Sequence, residues 1–292
     1  MELKKFIKQV LLFLLLPSCL YISSLFLLRQ TFEVNIENAS LVILGDSQTQ
    51  FINGKGIANY SIAGSPYFVH YRFAQEFIDQ LRGKKVYISF NYHNLSDLYQ
   101  NRLENDKIFP GWRNSMASHI EEFDLIVDNP MYYQMEEEYS ALNMQALPNL
   151  IGQMCRGMIS ESTTAHIMDT LTINTTLFRH WQNPEYIRKD EIQRSYLIKL
   201  VKLLEENQCN VTLLKMPLTH YYCAGVPQKI KSEYEEMQKC MQVDILDLDK
   251  RLMISKHYQY FKDYSHLNKY GCDLVNYLFA NKMSKENFAV TD

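Results

Sequence analysis

An α/β fold with a parallel sheet is what the sequence predicts, on three observations. Short apolar runs rich in β-branched residues recur at 41–44, 57–62, 86–90, 210–216 and 243–248. Amphipathic stretches follow at 67–81, 186–207, 228–241 and 270–282, with apolar side chains at helical spacing such as Phe73, Phe77, Ile78 and Leu81. Strands alternating with helices imply a parallel sheet covered by helices on both faces. The third observation is composition: 292 residues, 47% hydrophobic and 22% charged, suit one sizeable core without disorder. A formal net charge of -3 and the lack of a basic stripe argue against nucleic acid as a partner.

The chain opens on Lys4, Lys5 and Lys8, and residues 10–28 then carry no charge. Nineteen helical residues reach roughly 28 Å, close to the hydrocarbon thickness of a bilayer. The lysines precede the run and only Arg29 follows closely, so an uncleaved anchor would leave residues 1–9 in the cytoplasm and the rest outside. A cleaved signal peptide and a lipoprotein signal at Leu16-Pro17-Ser18-Cys19 are the competing readings. The first lacks a clear small-x-small site, and the second is followed by half a span of further apolar residues. Residues 29–40 read as a short tether.

The first strand, Leu41-Val42-Ile43-Leu44, runs into Gly45-Asp46-Ser47. A serine at the carboxyl end of a buried strand sits where open α/β sheets place ligands. On its own the same pair equally caps a turn. After the second strand, Gly64-Ser65-Pro66 breaks the chain, and Pro66 suits the start of the 67–81 helix. The 86–90 strand delivers Asn91 to Asn94 to the same sheet edge as Ser47. Residues 97–185 interrupt the rhythm and read as a helical insertion, with a cap over the site or extra scaffold as its alternatives. His119, His166 and His180 in it carry no metal-ligand spacing and are read as structural. No metal or other cofactor is expected.

Near the other end, Asp263 lies three residues before His266, between the last strand and the last helix. That spacing lets one turn hold carboxylate and imidazole together, so the acid can fix the tautomer of a base serving a serine. Six cysteines lack any Cys-x-x-Cys; free thiols are expected, with Cys223–Cys240 as the one conceivable bridge.

Gly45-Asp46-Ser47, Asn59 to Gly64, and Asp263-x-x-His266 together resemble the SGNH (GDSL-like) hydrolase and acyltransferase superfamily. The third family block, Gly-x-Asn-Asp, is absent from Val86 to Asn94, where Asn94 or Asn91 would stand in. The resemblance implies a three-layer α/β/α domain over 41–292 with a flavodoxin-like parallel sheet. It further implies Ser47 as nucleophile, His266 as base and Asp263 as its partner. The oxyanion would be met by the N–H groups of Ser47 and Gly64 and by Asn94 or Asn91. An acyl-serine then gives an esterase if water attacks, or an O-acyltransferase if a glycan hydroxyl does. With the anchor, the expected substrate is an acylated, most simply acetylated, glycan or acyl donor of the bacterial cell envelope. The bilayer and a membrane-bound acyl-donor protein are the expected partners. A catalytically inactive, anchored glycan-binding or assembly module is the alternative, motivated by the loose third block.

Overall fold

The computed structural model describes residues 2–99, 170–184 and 192–288, with the side chains of part of the first and last helices left aside. A 36-residue helix, α1 (Glu2–Glu37), leads into β1 (Leu41–Leu44). The following elements are β2 (Ile57–Asn59), α2 (Tyr67–Glu76), α3 (Ile78–Leu81) and β3 (Lys85–Ser89). Next come α4 (Thr170–Trp181), α5 (Ile192–Glu206), β4 (Asn210–Lys215), α6 (His220–Gly225) and α7 (Gln228–Met241). The chain closes with β5 (Asp244–Asp247), α8 (Leu248–Leu252) and α9 (Lys269–Phe288).

All five strands are parallel, in the order β2-β1-β3-β4-β5. This is the flavodoxin-like order, in which successive crossovers leave β1 on opposite sides and open a crevice beyond the carboxyl ends of β1 and β3. Alternating side chains sort the two faces. Val42, Leu44, Val86, Ile88 and Leu213 pack under Phe68, Phe73, Leu197 and Leu200 of α2 and α5. Leu41, Ile43, Tyr87 and Leu246 pack against Phe261 and against Val275 and Phe279 of α9. The helices therefore make a three-layer sandwich, and the inner strands β1 and β3, buried on both faces, are apolar at 41–44 and 86–88 for that reason.

Several elements differ from the sequence reading. The 67–81 helix is broken at Phe77 (φ -110°, ψ 25°) into α2 and α3. The short helices α6 and α8 begin on side-chain caps, Thr219 accepting from Tyr222 N and Asp247 from Lys250 N, which an apolar-periodicity reading passes over. The expected tether is helical as far as Glu37, because Ile36 is fully buried in the sheet core. Lys84 Nζ donates to the carbonyls of Glu37 (3.1 Å) and Ala39 (2.8 Å), placing a cation at the helix end where free carbonyls collect.

The expected span at 10–28 lies in α1, partly outside the residues whose side chains are described; among the described residues no helix is long and apolar enough to cross a membrane. Most of the expected 97–185 insertion, with His119, His166 and Cys155, lies outside the described residues. His180 is buried, its Nδ1 2.6 Å from the Tyr222 hydroxyl, in keeping with a structural role. Cys19, Cys209, Cys223, Cys240 and Cys272 are free thiols, so the Cys223–Cys240 bridge is not formed.

Candidate active site

Four parallel register pairs join β1 to β3, and both strands end at the crevice. At the end of β1, Gly45 permits a turn that no other residue fits. A Cβ there would lie 2.0 Å from Thr49 Oγ1 and 2.9 Å from Ser61 Oγ. Those two hydroxyls share a 2.7 Å hydrogen bond. The Ile62 N–H donates to Gly45 O (2.9 Å), holding the next turn, with Gly64 at φ +72°, alongside the serine turn.

The other half of the site is a loop pinched shut by an antiparallel bridge between Phe261 and Leu267. Within it Asp263 Oδ1 accepts the backbone N–H groups of Ser265 (2.9 Å) and His266 (2.8 Å). This closes the acid and the imidazole into one turn, as the three-residue spacing predicts. Thr219 N and Oγ1 both donate to Tyr264 O (3.2 and 2.7 Å), and Asn268 caps α9 through the N–H groups of Tyr270 and Gly271.

The two halves meet. Ser47 Oγ lies 2.8 Å from His266 Nε2, across 219 residues of chain. His266 Nδ1 faces both Asp263 oxygens, at 3.0 and 2.9 Å. Burial alone would raise the Asp263 pKa, but hydrogen bonds from His266 and from the Ser265 and His266 N–H groups outweigh it and hold the pKa at about 2. Asp263 is therefore a carboxylate at neutral pH. Ser47 and His266 are half-buried on a cleft of about 190 Å³, whose walls include Gln50, Phe51 and Leu267. A larger cavity of about 430 Å³ opens beside Asn35 and Asn38 at the end of α1 and contains neither residue.

Neither asparagine expected at the oxyanion is turned to that cleft. Asn94, 2% exposed, donates to Asp46 Oδ2 at 2.6 Å, and Asn91, fully buried, donates to Gln48 Oε1. Asn94 Oδ1 also accepts the Asn91 N–H at 2.7 Å. The reason is the acid between Gly45 and Ser47. Asp46 is 1% exposed and must find donors inside the protein. It accepts from His93 Nε2 (2.7 Å), Asn94 Nδ2 (2.6 Å) and the Gln48 N–H (2.9 Å). Burial pushes its pKa up, yet the His93 charge and these hydrogen bonds pull it well below the usual carboxylate range. The residues after β3 thus serve the acid of the first block, and Gly64 does not bound the 190 Å³ cleft either.

Gln48 and His93 bond directly to the residues around Ser47, at positions that sequence reasoning passed over. The only available signal was a run of polar residues at the carboxyl ends of two buried strands, which says that partners exist but not which. His70 in α2 is also buried behind the turn; burial lowers its pKa to about 4 against the opposing pull of Asp46 and a hydrogen bond with the Gly45 backbone. Among the described residues no group of three or more His, Cys, Asp or Glu side chains is placed to hold a metal ion.

No protein-family model and no curated protein sequence matches the chain. Among solved structures, the chain is similar to a lipase/acylhydrolase from Enterococcus faecalis, with 12% identity and a TM-score of 0.38 over 84% of this chain and 96% of that one. It is also similar to a GDSL-like lipase from Bacteroides thetaiotaomicron, with 13% identity and a TM-score of 0.41 over 86% of this chain and 89% of that one.

Proposed function

We propose that the chain is a serine esterase of the SGNH type, working through an acyl-serine on a short acyl ester. The observation that carries the reading is the run of contacts from Asp263 through His266 to Ser47, with 2.9 and 2.8 Å links. Ser47 Oγ attacks the ester carbonyl carbon while His266 Nε2 takes its proton. The C–O bond to the alcohol then breaks, and His266 returns the proton to the departing oxygen. In the second half, water attacks the acyl-serine, gives a proton to His266, and Ser47 leaves with that proton as the acid is released. Asp263 holds Nδ1 and stabilises the imidazolium in both halves. The oxyanion donor at the cleft in this reading is the N–H of Ser47, with Asn91 and Asn94 as supports of the turn. Removing one such donor typically costs about 10²–10³ in rate.

A cleft of about 190 Å³ is small beside ordinary ligand sites and favours a short acyl group such as acetyl. Phe13, Leu15, Leu20 and Ile22 of α1 are 58–75% exposed, which supports reading residues 10–28 as a span with the amino terminus cytoplasmic. The substrate would then be an acylated glycan of the cell envelope, and a glycan hydroxyl replacing water would make the same site an O-acyltransferase.

A fluorophosphonate probe tests the chemistry: labelling of the wild type and its loss in Ser47→Ala are expected. An inert wild type would favour the second reading, an anchored glycan-binding or assembly module, to which the inward-turned Asn91 and Asn94 amides also point. Esterase and transferase separate on whether an added glycan acceptor outcompetes water for the acyl group.

A further inference from the structure

We propose that Gln48 is a positioning residue that keeps His266 within reach of Ser47 while the serine is acylated; this rests on the esterase reading above. Gln48 follows the nucleophile directly, and its side chain is 4% exposed. Its Nε2 donates to the Ser265 carbonyl at 2.7 Å, and its Oε1 accepts from Asn91 Nδ2. Its own backbone N–H is fixed on Asp46 Oδ1 at 2.9 Å. An amide side chain can donate to a carbonyl on one side and accept from an amide on the other. The residue therefore ties the loop of Asp263 and His266 to the ends of both β1 and β3.

Among the described residues, the serine turn meets that loop through Ser47 Oγ with His266 Nε2 and through Gln48 Nε2 with Ser265 O. The chemistry consumes the first. Once Ser47 Oγ is an ester oxygen it has no proton to share, and for the life of the acyl-enzyme the imidazole loses that contact. Deacylation nevertheless needs the same imidazole in the same place to take a proton from water. The Gln48 bond is made between groups that never react, so it persists through this interval. A loss of orientation of about 1 Å is enough to cost on the order of 10²-fold in rate. Loss of Gln48 should accordingly fall on the second half of the cycle more than on the first.

The test is pre-steady-state hydrolysis of p-nitrophenyl acetate by the full chain and by Gln48→Met and Gln48→Glu, the second keeping the acceptor for Asn91. Both variants should show a nitrophenolate burst approaching one per protein. Steady-state kcat should fall about tenfold or more, KM should fall with it, and kcat/KM should stay within about threefold. A merely stabilising role would lower kcat, kcat/KM and the burst amplitude in the same proportion as the folded fraction, with KM unchanged, and would overturn the proposal. Amide exchange supplies a readout free of catalysis and of any one variant's fate. In Ser47→Ala, which lacks the first bond, the Ser265 and His266 amides should stay protected, and in Ser47→Ala with Gln48→Glu their exchange should rise about tenfold. Equal protection in the two overturns the tether. A wild type that neither takes a fluorophosphonate nor hydrolyses the ester sinks the esterase reading instead, and the exchange result then stands or falls alone.

Discussion

Replacing His93 by Phe should expose how much of the site depends on a charge that never touches substrate. The imidazole is 4% exposed and its Nε2 lies 2.7 Å from Asp46 Oδ2, while the carboxylate is 1% exposed. Phe fills the ring's volume but leaves Asp46 with two donors, the Asn94 amide and the Gln48 N–H. Taking a hydrogen-bond donor from a buried polar group typically costs about 1–3 kcal/mol, and more where the group left behind is ionised. That is a large share of the roughly 5–15 kcal/mol that holds a domain folded. The pH dependence carries the sharper signature. In the wild type Asp46 titrates below its ordinary 3.8, so its contribution is full above that value and is lost only as pH falls beneath it. In His93→Phe burial becomes the dominant influence and lifts the pKa above the unfolded value, so the penalty shrinks as acidification neutralises the group. Urea unfolding at pH 7 and pH 5 measures both: a gap of about 3 kcal/mol at pH 7 that narrows at pH 5 is expected. A gap under about 1 kcal/mol, or one that widens on acidification, would refute the claim that His93 compensates a buried carboxylate.

Asp263→Asn should leave the fold intact and lower kcat by about 10³–10⁴, since an amide opposite His266 Nδ1 favours the wrong tautomer; a loss below tenfold in ester hydrolysis would contradict the assigned role. Gly45→Ala should destabilise by about 3 kcal/mol or more in denaturant titration, because the added methyl would sit 2.0 Å from Thr49 Oγ1 and force apart its bond with Ser61. His70 titrates at about 4 folded and 6.5 unfolded, so below 6.5 the unfolded chain binds a proton that the native chain refuses. The resulting loss should grow to about 3 kcal/mol by pH 4, and His70→Phe should flatten the decline in acid-unfolding curves between those two values. If residues 10–28 span a bilayer, the full chain should stay in the membrane pellet through an alkaline carbonate wash, and its release would remove the anchor from the proposed function.

The parts of the fold legible in the sequence are those that periodicity encodes. β1 and the 86–88 centre of β3 are buried on both faces and so read as apolar runs, while α7 spans the same 228–241 that its spacing predicts. Asp263 and His266 were legible because their partnership is local, made by a turn whose spacing can be counted. The place of Ser47 was legible because a buried strand ending at Gly45 states where the chain must turn at the sheet edge. What the sequence hides is any partnership made across the sheet edge. Asn91 and Asn94 stand where an oxyanion donor would be sought, yet Asn94 donates to the buried Asp46 carboxylate and Asn91 to the buried Gln48 amide, because buried acceptors must find donors inside the protein. The same logic explains why no local pattern marks Gln48, whose two partners lie 43 and 217 residues away. It also turns the odd third block from a defect into a consequence. With its neighbours drawn inward, Asp46 of the serine turn is held by His93 and Asn94 after β3, and in the proposed esterase reading the oxyanion would fall to backbone N–H, which no side-chain motif can display.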